Sequence, residues 1–311
     1  MNPSIVYVGI DVAKAKIDIH LNGEDFTLAQ SPAHYEVLRQ RLRPLAGHVH
    51  VICEASGGYE RELVAYLHSH QILLSLVNPR QVRHLARATG KLAKTDKLDA
   101  AMLAEFGARC HPVPTVPPDA AWQQLRHWVD HRQHLVDDLT REKNYSAHLT
   151  EPKLRKLALT LQRLLQTQIE AIEDQIKVLL KEQPHLGQLV KRLCAVQGVA
   201  LITAVNLLAS LPELGSLSKR QAAALAGLAP INCDSGQYRG QRHIAAGRHS
   251  VRRALYMAAV CASRLNPVLT PFYQHLRARG KSFKVAITAT MRKLLIVLNA
   301  VAKNQDFVLA S

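Results

Sequence analysis

Residues 4–21, SIVYVGIDVAKAKIDIHL, carry two strand signatures separated by a few small and basic residues. SIVYVGID is apolar and β-branched, and KIDIHL alternates apolar and polar residues with the period of a half-buried strand. A third short strand, DFTL, follows the turn at NGED. Working outward, AHYEVLRQRLRPL has helical spacing, HVHVICE reads as a buried strand, ERELVAYLHSH as a helix, ILLSLVNP as a strand closed by Asn-Pro, and KLDAAMLAEFGARC as a helix. An antiparallel opening followed by alternating strand and helix predicts an α/β domain with a mixed sheet and helices against it.

HPVPTVPPDA interrupts this pattern, since its prolines cannot continue a helix and favour extended chain. A first boundary is placed there, giving expected divisions at 1–118, 119–190 and 191–311. Trp122, Leu125, Val129, Val136 and Leu139 then recur at helical spacing. Leu165, Ile169, Ile172, Ile176 and Leu179 alternate by four and three, an a/d seam that suits either a bundle on its own core or a coiled-coil hairpin pairing with another subunit. From about Leu193 the chain reads as mostly helical. VQGVALITAVNLLASLPEL resembles a helix-turn-helix opening with Gly198 at the turn, although Ala200 stands where a helix-hairpin-helix turn has its second glycine. KRQAAALAGLAPI is read as a helix ended by Pro230, and NCDSGQYRGQRHIAAGRHS as a polar, glycine-rich loop.

The charge balance narrows the partners. In 311 residues, 40 Lys and Arg oppose 24 Asp and Glu, a formal charge of +16, while 48% of residues are hydrophobic. The pI is near 9.9. This points to a folded body with a polyanion for a partner, of a size that suggests about two domains and allows three. Five scattered cysteines without a CxxC pair support neither a disulfide framework nor a zinc knuckle and suit a reducing cytosol. The N-terminal run meets Asp11 at once and reads as a strand, not a signal peptide. LLIVLNAVA, the most apolar C-terminal stretch, is too short to cross a bilayer, so no membrane partner is expected.

Asp11 closes the first strand, Glu54 closes the HVHVICE strand, and Asp96 and Asp99 open a helix with a spacing that puts both on one face. Carboxylates that converge at a sheet edge repel unless cations lie between them, and hard oxygen ligands suit Mg²⁺, with Mn²⁺ as the alternative. Two such ions ~4 Å apart would clamp the oxygens of a phosphodiester displacement. Taken singly, Asp96 and Asp99 also favour the positive end of a helix dipole. Ser235 lies between Asp234 and Gly236 in a run rich in arginine. By spacing alone it is a turn serine, because a serine hydroxyl needs a base, a metal or a charged pocket to act. Candidate nucleic-acid contacts are Lys14, Arg80, Arg83, Arg87, Lys91, Lys94, Arg239, Arg242, Arg248, Arg252 and Arg253.

GIDVAK with Asp11, CEASGGYE with Glu54, KTDKLDA with Asp96 and Asp99, and GLAPINCDSGQYRG with IAAGRHSVRRAL resemble the DEDD transposases of insertion-sequence family one-ten, relatives of the Piv DNA invertases. The resemblance covers most of the chain. It implies an RNase H-like (RuvC-like) domain, a helical coiled-coil insertion and a mostly helical C-terminal transposase domain. It also implies a metal tetrad of Asp11, Glu54, Asp96 and Asp99, and Ser235 as the nucleophile that forms a phosphoserine link to DNA. The implied partners are a structured guide RNA, target and donor DNA, and further copies of the chain as dimers and tetramers, in a bacterial cytoplasm at the nucleoid. Cys53, in place of an aliphatic residue, and Asp234 depart from the family pattern without removing a ligand. A protein-guided invertase, a junction-resolving nuclease and a non-catalytic nucleic-acid-binding protein are the alternative readings.

Overall fold

Alternation decides which way each strand faces. In β1 (Val6–Val12), Val8, Ile10 and Val12 enter one core, which leaves Tyr7, Gly9 and Asp11 on the opposite face. The computed structural model describes residues 5–90, 96–116, 119–231, 234–235, 238–239, 243–244 and 246–304, with backbone only at 96–98, 231, 234–235 and 238–239.

β2 (Lys16–Leu21) runs antiparallel to β1, and β3 (Glu24–Ala29) antiparallel to β2. Asn22 and Gly23 join the second pair with φ of 51° and 84°, the left-handed pair that a tight hairpin requires. β4 (Val49–Glu54) and β5 (Leu73–Val77) add on the other side of β1, both parallel, for a sheet order β3-β2-β1-β4-β5. The expected mixed sheet is therefore present.

Helices α1 (Pro32–Leu42) and α2 (Arg61–Ser69) bury Tyr35, Leu38, Leu42, Leu63 and Leu67 against the Val8 and Ile10 face. The opposite face receives α3 (Pro79–Ala88) and α4 (Asp96–Cys110), whose Val82, Met102, Leu103 and Phe106 pack with Ile52 and Val77. The Asn-Pro read as a strand terminator also starts a helix. The Asn78 side chain accepts from the Arg80 N–H at 2.9 Å, and Pro79 takes the first helical position, where no N–H is needed. Past α4, Thr115 donates its N–H to the Leu74 carbonyl at 2.7 Å and accepts from the Leu76 N–H at 2.9 Å, so the proline-rich segment covers the outer edge of β5.

The chain divides into two compact units, Met1–Pro117 and Pro118–Ser311. The second is helical: α5 (Ala120–Ser146), α6 (Pro152–Glu182), α7 (Pro184–Cys194), α8 (Leu201–Ser210), α9 (Lys219–Leu225), α10 (His249–Leu265), α11 (Leu269–Ala278) and α12 (Phe283–Lys303). Between α9 and α10 lie four two-residue strands, β6 (Pro230–Ile231), β7 (Asp234–Ser235), β8 (Tyr238–Arg239) and β9 (His243–Ile244).

Several sequence expectations change here. Ile169, Ile172, Ile176 and Leu179 are buried in one cluster with Leu125, Leu139 and Val190, and Leu165 packs against it, so the a/d seam serves this unit's own core. Leu154, Leu157, Leu161 and Leu164 form a separate, exposed stripe of α6. Gly198 has φ 98°, and a Cβ there would stand 2.7 Å from Ala262, so this turn is shaped by its packing on α10. α9 ends at Leu225, before Gly227 at φ 65°, and Pro230 begins a strand. The glycine-rich loop contains paired backbone: β6 with β9 and β7 with β8, both antiparallel. LLIVLNAVA belongs to the 21-residue α12, long and apolar enough to cross a membrane. Its Ile287, Leu294, Leu295 and Leu298 are instead buried in the core of the unit.

Candidate active site

Asp11 and Glu54 meet through the sheet register. β1 and β4 are parallel with Ile10 opposite Cys53, so Asp11 and Glu54 are the next pair along, at the carboxyl ends of adjacent strands. α4 lies across the same face. A Cβ on Gly9 would overlap the Ala100 carbonyl and approach the Ala104 nitrogen to 2.6 Å, while one on Gly107 would come within 2.5 Å of Tyr7 and 2.7 Å of Ile52. The helix therefore runs opposite to β1. Two strand residues advance about 6.6 Å, the rise of about four helical residues, so the step from Gly9 to Asp11 leads from Ala100–Ala104 back to the first turn, with Asp96 and Asp99. Asp99 is half-buried, and Asp96 is described by its backbone alone. Among the described residues no three His, Cys, Asp or Glu side chains form a metal-holding group.

The donors available are hard. Cys53 is fully buried in the Val8 and Ile10 core, on the sheet face opposite the acids, and burial, then the carboxylates of Glu60, Asp11 and Glu54, push its thiol up. Carboxylate oxygens are what remains, and they fit a divalent ion of the Mg²⁺ kind.

Two acids here escaped the sequence reading. Glu60 is buried, and its Oε2 accepts from the Ser56 N–H at 3.1 Å, the Ser56 hydroxyl at 2.9 Å and the Gly58 N–H at 2.8 Å. Burial raises its pKa, but hydrogen bonds from its own N–H, Gly58 and Ser56 prevail and hold it below the usual carboxylate value. It thus ties down the loop that leaves Glu54. Asp18 stands directly opposite Asp11 in the β1–β2 ladder, buried, accepting from the Thr27 hydroxyl at 2.5 Å and paired with Lys16 at 2.9 Å. A lone acid on the polar side of an alternating strand gives no signal of burial in the sequence.

Ser235 ends β7, with Asp234 opposite Arg239 and Ser235 opposite Tyr238. The β7–β8 pair is a hairpin that carries Ser235, and in the chain it lies between the two legs of a second ladder, Pro230 with Ile244 and Ile231 with His243. Its base is pinched. Arg252 donates from Nη1 to the Ala226 carbonyl at 3.0 Å and to the Ala246 carbonyl at 2.6 Å, one on each leg. The backbones of Gly227 and Gly247 approach so closely there that neither position has room for a Cβ. Below it, Arg248 makes two 2.7 Å bonds to the Glu213 carboxylate and one of 3.1 Å to the Ser210 carbonyl.

An IS110-type DEDD transposase family model matches residues 8–151, and the transposase IS116/IS110/IS902 family model matches residues 190–274. Over 98% of both chains the protein is 30% identical to the pilin gene-inverting protein of Moraxella bovis, and equally so to that of Moraxella lacunata. The chain belongs to the IS110 family of transposases. The insertion element IS110 uncharacterized 43.6 kDa protein of Streptomyces coelicolor is 30% identical over 45% of this chain and 34% of its own length.

An IS110-family transposase cleaves and rejoins DNA, and its DEDD domain implies a divalent metal. In this transposase the cations expected to contact nucleic acid fall into three groups. Arg80, Arg83 and Arg87 lie exposed on one stripe of α3, joined by His84, with no ion-pair partner for any of the four among the described residues. Lys14 is exposed in the turn after Asp11. Arg248, Arg252 and Arg253 are engaged within the protein, the last with Asp137 of α5, which leaves them fewer donors for a phosphate. Arg239 is described by backbone alone, and Lys91, Lys94 and Arg242 lie outside the described residues.

Proposed function

We propose that this transposase recombines DNA through a serine–phosphate intermediate at a Mg²⁺-dependent site, guided by a structured RNA. The observation that carries the acidic half is the register that sets Asp11 beside Glu54 under the first turn of α4. The strand order β3-β2-β1-β4-β5 supports an RNase H-like (RuvC-like) assignment for the first unit. On this reading residues 1–118 hold the carboxylates, 119–190 form a helical, coiled-coil-bearing region, and 191–311 present the serine.

Asp11, Glu54, Asp96 and Asp99 would hold the metal, which supplies charge stabilisation at the reacting phosphate when bound. The Ser235 oxygen attacks phosphorus and a new O–P bond replaces one strand bond. The leaving oxygen takes up the proton that the serine gives up. Because one ester replaces another, the strand can be rejoined without ATP. Ser235 belongs to a hairpin within a stretch whose two legs are pinned together at the base, which supports the reading of a positioned nucleophile. The exposed α3 stripe grips backbone phosphates, and the chain's net charge of +16 suits a protein that holds RNA and DNA together. The exposed Leu154, Leu157, Leu161 and Leu164 are the apolar stripe available for pairing two copies.

Two experiments test this. Denaturing gels of the protein incubated with its element ends and Mg²⁺ should show a covalent protein–DNA adduct that Ser235→Ala abolishes, with Asp11→Ala blocking recombination. A hydrolytic nuclease would leave no adduct in the parent protein. RNA bound to protein purified without nuclease treatment should be one discrete species with loops complementary to two DNA sites. Full-length similarity to pilin gene-inverting proteins favours a second reading, site-specific inversion without a guide, for which only heterogeneous RNA would be recovered.

A further inference from the structure

Between Asp234 and Asp306 the sequence contains no Asp or Glu. Cations in this stretch therefore have no nearby acid in sequence to neutralise them, and Arg253 finds its partner, Asp137, far away on α5. One cluster has none. The turn from α11 to α12 presents Arg277, Arg279, Lys281 and Lys284, all exposed, with no ion pair to any of them among the described residues.

This turn is ordered by its own backbone. Gly280 takes φ 75°, its N–H donates to the Arg277 carbonyl at 3.0 Å, and the Lys281 N–H donates to the Leu276 carbonyl at 3.1 Å, the bond pattern that closes a helix on a left-handed glycine. Arg277 then donates from Nη1 to the Lys281 carbonyl at 2.6 Å, fastening the turn across its mouth. The helices on both sides are anchored: Leu269 of α11 and Ile287 and Met291 of α12 are buried in the unit's core, and Lys293 lies 4.5 Å over the Phe272 ring, between the two helices. The cations are thus carried on a fastened backbone, so binding restricts their side chains without having to order the turn.

We infer that the α11–α12 turn is a second DNA-binding surface, taking the phosphate backbone of duplex DNA through Arg279, Lys281 and Lys284, with Arg277 as its fastener. Compact cations on a rigid turn suit backbone phosphates, whose contacts position a duplex without reading its sequence. The turn lies beyond residues 190–274 matched by the family model, and none of its four cations is among the residues assigned to the acidic or the serine site. Its role would be to hold flanking duplex during the reaction. The inference rests on the family's action on DNA and does not need Ser235 to be the nucleophile.

The test uses the full-length protein with chelator present, a labelled duplex of arbitrary sequence, and a hairpin RNA of equal charge. Affinity is measured across a salt series for the parent, for Arg279→Gln/Lys281→Gln/Lys284→Gln, and for a charge-matched control, Lys153→Gln/Lys156→Gln/Arg163→Gln on the exposed side of α6. Each duplex phosphate contact contributes about 0.9 to the log–log slope, so losing three should flatten the duplex slope by about 2.7 while the control stays near the parent. The substituted side chains are exposed, and an unchanged melting temperature confirms that the fold is intact. An unchanged duplex slope overturns the inference, as does an equal loss in the control, which would mean that net charge alone is felt. A loss confined to the RNA also overturns it, and assigns the turn to a different ligand.

Discussion

The Ala100 carbonyl occupies the space where a Cβ on Gly9 would stand, so β1 and α4 meet backbone to backbone one residue pair before Asp11. This contact sets how closely the first turn of α4 approaches the strand end that carries the acid. Gly9→Ala has to push a helix backbone off a sheet, and overpacking against atoms that cannot rotate away should cost about 3 kcal/mol. Urea unfolding measures this directly. Metal-dependent strand cleavage should fall further than stability alone explains, because Asp96 and Asp99 move with the helix. A variant as stable and as active as the parent would show that the contact does not position the acids.

Glu60 should reveal itself through pH. Its folded-state pKa is depressed, so its contribution to stability is complete above the ordinary carboxylate value and is lost as pH falls through the folded-state value. Glu60→Gln removes the charge, so its melting temperature should drop less between pH 7 and pH 3 than the parent's does. Glu60→Ala leaves the Ser56 and Gly58 donors unpaired, at about 1 to 3 kcal/mol. Equal pH profiles for Gln and Glu would rule out the charged form as the one that organises the loop.

Arg252, expected to contact phosphate, uses its Nη1 to join the two legs of the stretch that carries Ser235. Arg252→Ala should slow covalent adduct formation on the order of 100-fold, the usual cost of misplacing a reacting group by about 1 Å. DNA affinity and its salt slope should stay at the parental values. A salt slope reduced by about 0.9 would return Arg252 to the phosphate contacts.

The ion pairs behind the hairpin should differ in strength. Arg253 and Asp137 are both nearly half exposed, and breaking this pair should cost under about 1 kcal/mol. Arg248 grips Glu213 with two parallel bonds. Burial raises the Glu213 pKa, but the Arg248 hydrogen bonds, its own backbone N–H and the charges of Arg248 and Arg126 together hold it below the usual carboxylate value, which favours the charged pair. A double-mutant cycle on each pair should give the larger coupling energy for Arg248 and Glu213.

Much of the first unit was legible because its signals are local. Alternation in KIDIHL, the apolar run before Asp11 and the helical spacing of KLDAAMLAEFGARC needed no partner to be read, and the strands and helix stand where they were expected. α3 was missed because its own composition is basic and polar, with only Val82 of its residues buried. The hairpin around Ser235 was missed because two-residue ladders lie below any periodicity, and the Leu165–Leu179 seam carried no mark to separate an internal partner from another subunit.

The sequence by itself determined the strand and helix periods, the polyanion-seeking charge, the carboxylates at strand ends and the family to which the chain belongs, all properties carried by neighbouring residues. Only the tertiary structure decided which acids stand side by side and which arginines are engaged within the protein. Asp11 reaches Glu54 by strand register, α4 reaches Asp11 because Gly9 and Gly107 have no side chains, and Arg252 reaches the hairpin base from a helix that follows it. Each of these depends on atoms distant in the chain meeting at van der Waals or hydrogen-bond range, which local spacing does not encode.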